Sequence, residues 1–135
     1  MASGSGTPDD PWALLTPSGG SEFTMHVDAD SSPALLICKV GKARLTYLAR
    51  ALDDLNAFLV ERGDWVLLGA ADEQRPAMEG TVEAWGRSTA NPVGGWYGQK
   101  TGMRGRFGVY VPPVLVAQRR AEIVIENRKA RIRAI

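Results

Sequence analysis

The chain has one cysteine and one histidine among its 135 residues. With Cys38 alone no intrachain disulfide can form, which fits a reducing compartment, and a cytoplasmic location is expected. One Cys and one His cannot supply the ligands of an ordinary structural zinc site. No apolar run reaches the roughly 18 to 20 residues that span a bilayer, so no membrane partner is expected. The opening segment, MASGSGTPDDPW, lacks the basic stretch and apolar core of a secretory leader. Neither GxGxxG behind a strand nor GxxxxGK[ST] occurs, so the sequence points to no cofactor and to no catalytic residues. Net charge is also scarce: sixteen Lys/Arg face fifteen Asp/Glu, leaving +1.

That near-neutrality hides a split. From Trp96 to Ile135 there are nine Lys/Arg and two acids, a local +7; residues 1 to 95 carry seven basic and thirteen acidic residues, or −6. A neutral protein with a basic end can present a local anion-binding face. Hydrophobic content of 44% in a chain of this size permits one domain with a true core.

Residues 1–21, rich in Gly, Ser, Pro and Thr, are expected as a flexible arm, with Trp12 able to dock on the domain. Residues 22–135 are expected as a single α+β domain. EFTMHVD (22–28) alternates apolar and polar residues with the period of a half-buried strand. ALLICKV (34–40) and ARLTYL (43–48), joined through Gly41-Lys42, complete a three-stranded antiparallel meander. The spacing of Ala51, Leu55, Phe58, Leu59 and Arg62 predicts a helix over 50–62, stopped by Gly63. Leu55 and Phe58 should then lie against the sheet. WVLL (65–68) is long enough for one edge strand, and 79–87 predicts a short helix with Thr81 as its cap. Residues 88–108 read as loop. Pro112 and Pro113 suit the first turn of a helix over 112–120. EIVIE (122–126), a turn at 127–129 and ARIRAI (130–135) predict a closing hairpin.

From residue 50 the order helix, strand, helix, loop, helix, hairpin resembles a winged helix. The resemblance implies that the hairpin, or wing, touches a nucleic-acid backbone, although such folds also serve as protein-binding modules. The segments GDWVLLGAADE (63–73), GTVEAWGRS (80–88), NPVGGWYG (91–98) and GMRGRFGVYVPP (102–113) resemble a family of small uncharacterised bacterial proteins. That likeness implies no site residues.

The residues nearest to a site are cationic. Arg128 and Lys129 sit at the expected hairpin tip, and Arg131 and Arg133 share one strand face. Lys100, Arg104 and Arg106 stand among Gly102, Gly105 and Gly108, where backbone N–H groups and guanidinium forks suit phosphate. The alternative is a tight loop with solvated arginines. Trp96, Tyr97 and Phe107 form a candidate stacking platform, or else the edge of a core. Asp72, Glu73, Glu79 and Glu83 lack the spacing of a calcium loop. His26 opposes Phe23, Met25 and Val27 and should face solvent, while Cys38 shares parity with Leu36 and Val40 and should be core. Three functions remain open: a nucleic-acid-binding module, a protein-interaction or oligomerisation module, and a small-molecule binder or enzyme with a pocket near residues 85–110.

Overall fold

The computed structural model describes residues 3–69, 74–98 and 106–135. It is an α+β structure with two antiparallel sheets. The first sheet holds β1 (Trp12–Leu15), β2 (Glu22–Asp28), β3 (Leu35–Val40) and β4 (Ala43–Leu48), in that spatial order. The meander of β2, β3 and β4 is thus present with a fourth strand added. Residues 12–15 therefore depart from the expected arm. Trp12 and Leu14 alternate inward and pair with Met25 and Phe23, but a strand of four residues within Gly, Ser and Pro leaves almost no periodic signal. The segment before it is tied down as well: Val27 N–H donates to Gly6 O (2.9 Å), and Ser3 bridges Ala13.

Cross-strand register puts Trp12, Leu14, Phe23, Met25, Leu36, Cys38 and Tyr47 on one buried face. His26, Lys39 and Arg44 lie on the opposite face, as strand alternation requires.

The second sheet holds β5 (Val66–Leu67), β6 (Ala121–Glu126) and β7 (Lys129–Ala134), in the order β5-β7-β6. Among the described residues four helices accompany it: α1 (Ala51–Arg62), α2 (Val82–Arg87), α3 (Phe107–Tyr110) and α4 (Pro112–Ala117). Gly63 ends α1 with φ 65°, and Thr81 caps α2 by accepting from Ala84 N–H at 3.1 Å. One hydrophobic cluster runs through both sheets and all four helices.

Helix α1 buries Ala51, Leu52, Leu55 and Leu59. Phe58 is only half-buried. It stacks on Trp85 of α2, with centroids 4.9 Å apart, instead of entering a sheet interface, and Arg62 covers its ring. The helix expected over 112–120 ends at Ala117, where Gln118 caps back to Val114 O. Its Pro112, Pro113, Val114 and Leu115 are all buried, because α4 packs against α1, β1 and β6.

Two close approaches fix the helical part. A Cβ on Gly86 would lie 2.8 Å from the Phe107 ring, so α2 and α3 meet at a residue without a side chain. A Cβ on Gly108 would run into the Leu68 carbonyl, which seats α3 on the chain leaving β5.

Candidate binding site

The hairpin of β6 and β7 presents the basic residues. Asn127 and Arg128 form its two-residue turn with φ 50° and 66°, both in the left-handed region that a tight hairpin turn requires. This turn exposes Arg128 and Lys129, and neither is in an ion pair among the described residues.

Arg131 and Arg133 share a strand face as expected, but both are engaged within the hairpin. Arg131 pairs with Glu126 at 3.3 Å. Arg133 pairs with Glu122, its direct cross-strand neighbour, and lies over the Trp65 ring at 4.4 Å. Cross-strand opposite charges are the usual stabilising pair of an exposed sheet face. Arg120 reaches across to Asp53 of α1 at 2.9 Å. Part of the charge split is thus an internal match between the two halves of the chain.

Arg106 is exposed and left-handed, with φ 63°, just before α3. Lys100, Arg104, Gly102 and Gly105 lie outside the described residues, as do Asp72 and Glu73. Gly108 does not present its N–H to solvent. That group donates to the Glu83 carboxylate at 2.9 Å. The interleaved glycine pattern therefore has at least one packing residue where an anion-binding loop would need a free amide.

The proposed aromatic platform is corrected by burial. Tyr97 and Phe107 are core residues with centroids 5.2 Å apart, and Trp85 stacks on Tyr97 at 5.6 Å. A ring enclosed by its neighbours cannot receive a base. Trp96 is half-buried, with the Arg87 guanidinium 4.8 Å above it. The Tyr97 hydroxyl donates to Asp54 of α1 (3.0 Å). Burial, reinforced by that carboxylate, pushes the phenol's pKa upward. The loop itself is held by Asn91, whose side-chain amide donates to Trp85 O and Gly86 O and accepts from Val93 and Gly95.

Glu83 was legible only as one of several scattered acids. It is fully buried, with one carboxylate oxygen on Gly108 N–H and the other on Arg87 Nε at 2.9 Å. Arg87 also donates to Arg75 O at 2.6 Å. The one sequence signal for this network is the i, i+4 spacing of Glu83 and Arg87 on a helix. Among the described residues no three His, Cys, Asp or Glu side chains gather as metal ligands.

Cys38 and His26 do not meet, because they occupy opposite faces of the first sheet. Burial pushes the Cys38 thiol up to about 12, so it is no thiolate at neutral pH.

A cavity of about 480 Å³ opens beside the hairpin tip, between the turn after β1, strand β5, residues 76–78 and α3. Val109 of α3 lines it, so the cavity borders the 85–110 segment, while Tyr97 and Phe107 of that segment pack in the core.

The fold and this surface describe a two-sheet α+β protein with a cationic hairpin tip beside a cavity. The chain belongs to a family of unknown function (DUF6855), which matches residues 4–135. No curated protein and no solved structure matches it. The membership agrees with the resemblance to an uncharacterised family and assigns no activity.

Proposed function

We propose that this protein is a non-catalytic binding module that contacts nucleic-acid phosphates through the tip and outer face of the β6–β7 hairpin. The observation that carries the reading is the pair Arg128 and Lys129, exposed side by side on a turn and outside any ion pair among the described residues. The element order and the strand order β5-β7-β6, behind α1, α2 and α4, support a winged-helix-like half with this hairpin as its wing.

The structure also limits how such contact would be made. Helix α4, the counterpart of a recognition helix in this reading, buries Pro112, Pro113, Val114 and Leu115 and has no basic residue. Major-groove reading by that helix is therefore not part of the proposal. Contact would be to the backbone and independent of sequence. Arg131 and Arg133 can join it by exchanging Glu126 and Glu122 for phosphate, since exposed ion pairs of this kind hold by only about 0–1 kcal/mol.

The test is fluorescence anisotropy with labelled duplex and single-stranded DNA across a salt series. Two or three phosphate contacts imply a slope of log K against log salt of about −2 to −3 on duplex. Arg128→Glu with Lys129→Glu should remove binding to all sequences and leave the melting temperature unchanged. Absence of binding at low salt ends the proposal.

A further inference from the structure

We infer that the cavity beside the hairpin tip is a binding site for a small molecule with an anionic head group on an apolar body. This site goes beyond the proposed contact with nucleic acid and shares Arg128 and Lys129 with it.

The walls are apolar. Leu67 of β5, Val109 of α3, Pro76 and Met78 line the space. Met78, 68% exposed, stands at the rim and adds apolar surface that a ligand can cover. Its unbranched thioether can adjust to the shape of whatever does. A volume of about 480 Å³ lies within the range of small-molecule sites, roughly 300–1,000 Å³.

The polar groups at this cavity divide into two kinds. Those on the inner side are already engaged. The Thr81 hydroxyl donates to Met78 O at 2.7 Å and accepts from Ala84 N–H. The Glu83 carboxylate is held by Gly108 N–H and Arg87. Its charge is therefore matched within the protein. Arg128, Lys129 and Ser18 also line the cavity, and none makes a side-chain hydrogen bond or ion pair among the described residues.

Charge complementarity then selects the ligand. Two unmatched cations and a hydroxyl stand beside an apolar recess whose one lining carboxylate, among the described residues, is already paired. A carboxylate, phosphate or sulfonate would take charge-assisted hydrogen bonds from Arg128 and Lys129, and the apolar body would cover Met78 and Val109. A cationic ligand would meet only repulsion at the mouth.

The experiment uses the full chain and two dyes of similar shape: anilinonaphthalene sulfonate, which carries an anion, and neutral phenylnaphthylamine. Fluorescence titration should show one saturable site for the sulfonate dye. Arg128→Ala with Lys129→Ala should weaken the sulfonate dye about tenfold, the scale of one lost charge-assisted hydrogen bond, and change the neutral dye less than about twofold. Ala77→Trp, which adds bulk at the cavity wall and keeps both cations, should abolish binding of both dyes. Near-ultraviolet circular dichroism verifies that each variant is folded, and Met78→Trp replaces Ala77→Trp if the latter is not. Non-saturable binding, equal loss of both dyes in the double alanine variant, or unchanged binding in a folded cavity-filling variant would each overturn the inference. Because the tryptophan variants keep Arg128 and Lys129, their dye result stands apart from the outcome with DNA.

Discussion

The backbone N–H of Gly108 donates to the carboxylate of Glu83 at 2.9 Å, across twenty-five residues of sequence and inside the core. The other carboxylate oxygen holds Arg87, whose guanidinium in turn covers Trp96. One acid thereby locks α2, α3 and the loop after α2 together. Removing it would strand a buried amide and a largely buried cation. Glu83→Ala should therefore destabilise the fold by about 3–5 kcal/mol, while Glu83→Gln, which keeps an acceptor for Gly108, should cost less. Urea denaturation measures both, and a Glu83→Ala loss below that of Glu83→Gln would contradict the network.

Leu55 and Phe58 were expected together against a sheet, and the structure separates them. Leu55 is fully enclosed, so Leu55→Ala should cost about 2–5 kcal/mol. Phe58 keeps one side open and contributes mainly its stacking on Trp85, so Phe58→Ala should cost about 1–3 kcal/mol. Equal losses in chemical denaturation would show that Phe58 is a core residue after all.

His26 sets a pH dependence. Partial burial, followed by the charges of Lys39 and Arg44, lowers its pKa below the ordinary 6.5, while Asp28 opposes the shift. Its protonation is therefore less favourable in the folded protein than in the unfolded chain. The unfolded chain binds more protons in the window just below 6.5, so stability rises with pH there. The contribution is intact above 6.5 and is lost as pH falls through the folded value. His26→Gln should flatten the dependence of melting temperature on pH in that window. An unchanged slope in the variant would assign the dependence to other groups.

Where a stretch of sequence carries its own period, that period determined the element. The alternation in 22–28, the apolar run into 40, the Gly41 turn and the i, i+4 pattern of α1 all became structure at or within a residue of their expected bounds. The β6–β7 hairpin did so too, because Ile123 and Ile132 must share a buried side while Glu122 and Arg133 pair outside. Such elements rest on interactions between residues a few positions apart, and a linear reading contains them.

What only tertiary structure decided involves partners far apart. Strand β1 is too short to have a period and exists because β2 offers Trp12 and Leu14 an apolar face and a free edge. Tyr97 and Phe107 look alike in sequence whether they meet a ligand or each other, and packing chose the second. The basic end was legible as a sum of charges, yet each arginine's availability depends on which carboxylate stands within about 4 Å, where Coulomb attraction is felt most. Strand register gave Arg133 to Glu122, and the packing of α1 beside α4 brought Asp53 to Arg120. Arg128 stands outside those pairs because it is in the two-residue turn, which has no opposite strand position, and Lys129 does so because Glu126, the residue opposite it, is paired with Arg131.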